Sequence, residues 1–220
     1  MIIQQIILRL KTELPLSEHG NALRGYIANK FPQYDILHNH REDGSLLYLY
    51  PRIQYRTING EGYIIGIEEG VAIIREIEPM IDNLTLKDKS YSVLQKQLIL
   101  ENVRFGLSDT PIEFSFIKPW LALNEQNYHV YIRSGSQKKK EVILKNILKG
   151  NLLSLAKSIG YIVDKQIEVT SLTFEEKKCF LKGTPMLGIL GTFSVNFEIP
   201  DYWGIGKSVS RGFGTVKRVV

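Results

Sequence analysis

The stretch from Gly204 to Gly214, GIGKSVSRGFG, limits what this chain can become more than any other. Gly204 and Gly206 flank Ile205, Gly212 and Gly214 flank Phe213, and Lys207, Ser208, Val209, Ser210 and Arg211 lie between the pairs. Glycine has no Cβ, so its backbone takes positive φ and lets a second backbone come close. Such a loop can turn successive N–H groups toward an anion. Lys207 and Arg211 add charge to it, and Ser208 and Ser210 add hydroxyl donors. The plain alternative is a glycine-rich hairpin into a last strand, Thr215 to Val220, with no ligand. The stretch is neither a Walker A loop nor a dinucleotide fingerprint, because the glycine spacing ahead of Lys207 and Ser208 is wrong and too little chain follows for a helix.

With 220 residues and 44% apolar content, the chain has material for one large domain or two small ones. Its 28 Lys and Arg against 23 Asp and Glu leave a net charge of +5, a mild excess compatible with a polyanionic partner but not proof of one. The single cysteine, Cys179, excludes an internal disulfide and a thiolate zinc site, and fits a reducing, cytoplasmic setting. The first residues, MIIQQIILRLKTEL, carry Gln4, Gln5, Arg9 and Lys11, so they read as a strand and not as a signal peptide. No run is apolar for long enough to span a bilayer, and no membrane association is expected.

Taken in order, Met1 to Leu14 alternates in part and ends at Pro15. Ser17 is placed to cap a helix running to about Phe31, stopped by Pro32. YDILHNH follows as a short extended segment, and LLYLYPRIQYRTI alternates from Leu46 to Ile58 with Pro51 marking an edge or bulge. Tyr48, Tyr50, Arg52, Gln54 and Arg56 share one side of that run. Asn59-Gly60 turns the chain into YIIGI, Glu68 to Met80 is helical with Val71, Ile74 and Ile77 inward, and a strand follows near Asn83 to Lys89. Strand, helix, strand, strand, helix, strand is the ferredoxin-like order.

The second part repeats the theme less clearly. Strands are expected over Tyr91 to Val103, Ile112 to Ile117, Gln166 to Lys182 and Met186 to Glu198, with a helix from Gln137 to about Tyr161 that Gly150-Asn151 can split. The lysines of that helix are either a solvated face or a track for a nucleic-acid backbone. The expected fold class is therefore α+β, with a single mixed sheet as the competing picture.

His38 and His40 stand two residues apart, which on an extended backbone points both rings to one face about 7 Å apart. Imidazole serves as both acid and base near neutral pH. Cleavage of RNA by its own 2′-hydroxyl needs a base, an acid and positive charge near the phosphorane, which two histidines and a lysine supply without metal. Lys30, ending the first helix, is the candidate cation, and Tyr48 a hydrogen-bond donor or stacking platform. The plainer readings are loop histidines, a helix-end lysine favoured by the macrodipole and a half-buried strand tyrosine. A zinc site is not supported, since His19, His129 and Cys179 lack ligand spacing, and no cofactor is called for.

Glycine, apolar, glycine, five residues, glycine, apolar, glycine at the C-terminus resembles the signature loop of the RAMP superfamily, the CRISPR-associated RNA-binding proteins. LRGYIANKFP, LHNH, YLYPRIQYR and IIGIEEG, in that order, resemble the N-terminal portion of the repeat-processing endoribonucleases of that superfamily. The resemblance touches both ends and leaves roughly residues 90–195 to pattern alone. It implies two tandem ferredoxin-like, RRM-like domains with antiparallel sheets, over 1–90 and 91–220, the second carrying the loop. It also implies metal-independent transesterification that leaves a 2′,3′-cyclic phosphate, with His40, His38, Lys30 and Tyr48 as catalytic positions. Gly204, Gly206, Lys207, Ser208, Ser210, Arg211, Gly212 and Gly214 become RNA-binding positions.

The implied partner is CRISPR repeat RNA, with other CRISPR-associated proteins of an effector complex, and a homodimer is left open. A non-catalytic RAMP subunit that only holds RNA is the alternative, needing the loop but not the histidines. An unrelated metabolic ferredoxin-like protein would show no salt-sensitive RNA affinity.

Overall fold

The computed structural model describes residues 1–38 and 50–219, with the backbone alone at His38. It divides into two compact units, Ile2–Val103 with Ser210–Gly212, and Arg104–Val209 with Met1 and Phe213–Val220. Both are built on the same plan.

In the first unit, β1 (Ile2–Thr12) leads to α1 (Gly20–Lys30) and the single turn α2 (Asp35–His38). Then come β2 (Ile53–Ile58), β3 (Glu61–Ile67), α3 (Glu69–Ile77), β4 (Asn83–Leu86) and β5 (Lys89–Arg104). The sheet order is β2-β3-β1-β5-β4. Without β4 this is the ferredoxin-like arrangement, with β5 in the place of the fourth strand and β4 folded onto it as a hairpin, Leu84 opposite Tyr91. β1 and β2 flank β3 antiparallel, with Leu8 opposite Ile64 and Tyr55 opposite Ile64.

One face of this sheet is sealed by both longer helices. Leu23 and Ile27 of α1 and Val71, Ile74 and Ile77 of α3 join Leu8, Ile53, Tyr55 and Ile64 in one buried cluster, so helical spacing and strand alternation converge on one core. α1 starts later than its expected Ser17 cap. His19 occupies the N-cap without a side-chain bond. Ser17 instead binds the Glu18 carboxylate at 3.0 Å, and Tyr91 donates to Glu18 at 2.6 Å. α3 gives way at Pro79 to a 3-10 turn, Glu78–Met80.

The second unit comprises β6 (Gly106–Trp120), α4 (Glu125–Arg133), α5 (Gln137–Ile159), β7 (Val169–Leu172), β8 (Glu175–Leu181), β9 (Thr184–Glu198) and β10 (Val216–Arg218). The sheet runs β10-β6-β9-β7, with β8 paired to β9, so the same order recurs. Between β9 and β10, where a second long helix would stand, the chain has the glycine-rich stretch and a 3-10 turn, Val209–Arg211. The fold is thus two ferredoxin-like domains in tandem, with antiparallel sheets.

Several expectations change. The strand expected to open the second module, Tyr91 to Val103, lies within β5 of the first sheet, so the boundary along the chain falls near residue 104 and not near residue 90. The run expected as one strand from Gln166 to Lys182 breaks between β7 and β8, where Thr173 bonds Thr192 through its N–H at 2.8 Å and its hydroxyl at 3.0 Å. Gly150-Asn151 does not split α5. Asn151 Oδ1 accepts from the buried Trp120 indole at 3.0 Å, which ties the middle of that helix to β6. No helix among the described residues is long and apolar enough to cross a membrane.

Candidate functional site

Position by position, the expected site residues divide into those the structure describes and those it does not. His40 and Tyr48 lie outside the described residues. His38 closes α2, and this corrects the extended reading of YDILHNH: Leu37 N–H donates to Tyr34 C=O at 3.0 Å in a helical turn. Asp35 suits the first turn of a helix and Leu37 anchors it in the core, 1% exposed. The period-two argument that put both imidazoles on one face therefore does not apply at His38.

Lys30 ends α1, exposed. Its ammonium donates to Tyr26 Oη at 3.3 Å and lies 5.7 Å from the Tyr26 ring centroid, one helical turn back, and 5.8 Å from that of Phe31. Tyr26 Oη in turn donates to the Asn83 carbonyl at 2.9 Å. This chain of contacts fixes where the ammonium stands while leaving it open to solvent.

The glycine-rich loop is divided between the units. Up to Val209 it belongs to the second, where its two glycine pairs are stitched together. Gly204 bridges Thr215, Ile205 N–H donates to Gly214 C=O at 2.9 Å, and Gly214 N–H donates to Pro119 C=O at 2.8 Å. Those N–H groups of Ile205 and Gly214 close the loop and do not form the anion cradle anticipated from the glycine spacing. Gly206 has φ +86°, and a Cβ there would stand 2.6 Å from Trp120 Nε1 and 2.9 Å from Asn151 Oδ1, so only glycine fits this turn. Lys207 projects from it, exposed, with Ser208 next at φ +60°.

Ser210, Arg211 and Gly212 belong instead to the first unit. They lie over the start of α1 and the edge of β2: a Cβ on Gly20 would come within 3.2 Å of the Arg211 carbonyl, and one on Gly212 within 3.2 Å of the Tyr55 carbonyl. Burial first, and then the like charge of Arg211, lower the pKa of Arg24 on α1, with Tyr55 acting in the opposite direction. Two guanidinium groups are thus held in one neighbourhood, a natural setting for an anion. Arg24 was missed in the sequence, although it follows Gly20 by one helical turn and so shares its face.

Arg56 shares one side of β2 with Gln54, as the alternation places it. It is fully buried, donating to the Tyr55 carbonyl at 2.9 Å and to Gln54 Oε1. Gln54 and Gln5 are buried as well, and Gln5 donates to Glu101 at 2.7 Å. The sheet face away from the helices therefore carries buried polar groups.

On α5, Lys140 pairs with Glu176 at 2.7 Å and Lys145 with Glu141 at 2.8 Å, while Lys138 and Lys139 stay exposed. The lysine group is not one uniform track.

Comparison with known proteins bears out the resemblance read from the two ends of the sequence. The model of the Cas6b N-terminal domain matches residues 1–104 and that of the Cas6b C-terminal domain residues 106–219. A crystal structure of Cas6b is 33% identical over the whole of both chains with a TM-score of 0.91. A second, of Cas6b described as a CRISPR RNA processing endoribonuclease, is 31% identical over the whole of both chains with a TM-score of 0.80. An uncharacterized protein of Methanocaldococcus jannaschii is 41% identical over 144 residues, 66% of this chain and 97% of that one. Matched in both halves by domains of one family, the chain belongs to the Cas6b family.

Proposed function

We propose that this protein is an endoribonuclease that binds CRISPR repeat RNA within a precursor transcript and cuts it at a phosphodiester, acting without a metal. The observation that carries the reading is the full-length likeness to a Cas6b described as a CRISPR RNA processing endoribonuclease. The Lys30 ammonium, fixed by Tyr26 and open to solvent, supports it.

In the proposed step, one imidazole of His38 and His40 takes the proton of the 2′-hydroxyl and its oxygen attacks the adjacent phosphorus. The bond to the 5′-oxygen breaks, and the other imidazole delivers a proton to that leaving oxygen. Lys30 offsets the charge that builds on the phosphorane, and Tyr48 donates a hydrogen bond or stacks on a base. The products are a 2′,3′-cyclic phosphate and a 5′-hydroxyl. Lys207, Ser208, Ser210 and Arg211 hold the RNA backbone through side-chain donors, with the glycines at 204, 206, 212 and 214 shaping the loop that presents them.

The test is incubation of the full chain with repeat RNA in excess EDTA, with the product ends read by mass spectrometry. A cyclic phosphate is expected, and His40→Ala is expected to slow cleavage by about a hundredfold or more while binding survives. A product that needs Mg²⁺, or one bearing a 3′-hydroxyl, overturns the mechanism. RNA bound but left intact by the unaltered protein moves the reading to a non-catalytic RNA-holding subunit.

A further inference from the structure

The second unit has a pocket of about 480 Å³ toward the turn end of the β8–β9 hairpin, of a size that suits a small organic group. Leu123, Met186 and Leu187 give it an apolar wall, and Tyr128 of α4, 43% exposed, brings an aromatic ring. Two lysines line it from different elements, the ammonium of Lys178 lying 5.7 Å from the Phe180 ring centroid on the same strand. Lys178 comes from β8, directly across the strand pair from Leu187. Lys207 comes from the glycine-rich loop, where Gly206 and the Trp120–Asn151 hydrogen bond behind it set the turn. Glu125 is the one acidic group among the lining residues, so the pocket keeps a positive excess.

An accessible aromatic ring and a thioether beside two cations is what an unpaired nucleotide needs: a π face and apolar wall for the base, and ammonium groups for the phosphates on either side. An acidic peptide would use the lysines but would leave the flat aromatic surface without a matching group. A double-stranded segment could not reach the wall at all, since its bases are stacked on one another.

We propose that this pocket receives one unpaired nucleotide of the RNA, its base against Tyr128 and Met186 and its phosphates on Lys178 and Lys207. The inference rests on the ribonuclease reading above, and it adds a nucleotide-binding position built wholly within the second unit. It also assigns the glycine-rich loop a definite task there, which is to present Lys207 to one phosphate.

The experiment scans a repeat RNA with single abasic substitutions and measures affinity by fluorescence anisotropy. The full chain is compared with its Tyr128→Ala and Tyr128→Trp variants, whose melting curves report folding. One abasic position is expected to weaken binding to the unaltered protein by roughly tenfold or more, in keeping with a lost base–aromatic stack. Tyr128→Ala is expected to weaken the intact RNA by a similar factor and to lose the penalty at that position, while Tyr128→Trp keeps both. Lys178→Ala is expected to reduce the slope of log affinity against log salt by about 0.7.

The proposal is overturned if the unaltered protein binds and cuts the intact repeat yet no abasic position shows a loss that depends on Tyr128. A Tyr128-dependent position on RNA that is never cut would keep the pocket and remove the ribonuclease. No affinity for RNA would remove both.

Discussion

Arg56 is buried on every side, yet it stays charged at neutral pH. Desolvation pulls its guanidinium down to about 10, with Tyr50 acting in the opposite direction, and the Tyr55 carbonyl and Gln54 Oε1 accept hydrogen bonds from it. Replacing it by methionine keeps much of the volume but removes those donors from buried acceptors, so Arg56→Met is expected to cost roughly 2 kcal/mol in urea unfolding. An unchanged midpoint would show that the polar row on this sheet face is not needed for stability. Glu18 makes a pH-dependent prediction. The hydrogen bond from Tyr91 is the largest cause lowering its pKa, aided by Ser17 and Lys89 and opposed by desolvation. A carboxyl with a depressed folded pKa stabilises fully above its unfolded value, and the contribution is lost as pH falls through the folded value. The melting temperature should therefore fall on the acid side of about pH 4, and Glu18→Gln should flatten that part of the profile. Parallel profiles for the two proteins would remove Glu18 from the account.

Among the elements, α5 and the glycine-rich loop pair glycines of opposite consequence. Gly150 lies in the interior of α5, exposed, and a Cβ there would meet nothing within 4 Å beyond its chain neighbours and the backbone of its own helix. Gly150→Ala is expected to stabilise the protein by about 0.5–1 kcal/mol, because alanine loses less backbone freedom in a helix. A drop in melting temperature would show that the helix does not accommodate a side chain at this position. Gly206 is the reverse case, with positive φ and Trp120 in the way. Gly206→Val is expected to cost about 2 kcal/mol or more and to weaken RNA binding together with stability. Unchanged stability and affinity would leave the loop with no part in either.

At the scale of the whole molecule, a net charge of +5 sets a mild background for RNA, and the positions proposed to hold it are local clusters within each unit. RNA affinity should accordingly fall linearly in log–log form with salt, with a slope of about −0.7 for each phosphate neutralised on a single strand. A flat dependence would argue against both proposed contacts. Much of this architecture was legible in the sequence. Val71, Ile74 and Ile77 announced the inner face of α3, Asn59-Gly60 announced the β2–β3 turn, and the element order announced the first ferredoxin-like unit. Periodicity is a property of chain neighbours, and the apolar faces that neighbours form are the ones a core must bury. What only the tertiary structure decided were matters of distant residues. It broke the expected strand between β7 and β8, buried the Arg56 guanidinium, and divided Lys207 from Arg211 between the two units. It also brought Tyr128, Lys178 and Lys207 to one pocket across some eighty residues of chain. No local pattern encodes such meetings, because each depends on how two separately formed surfaces come to share the same space.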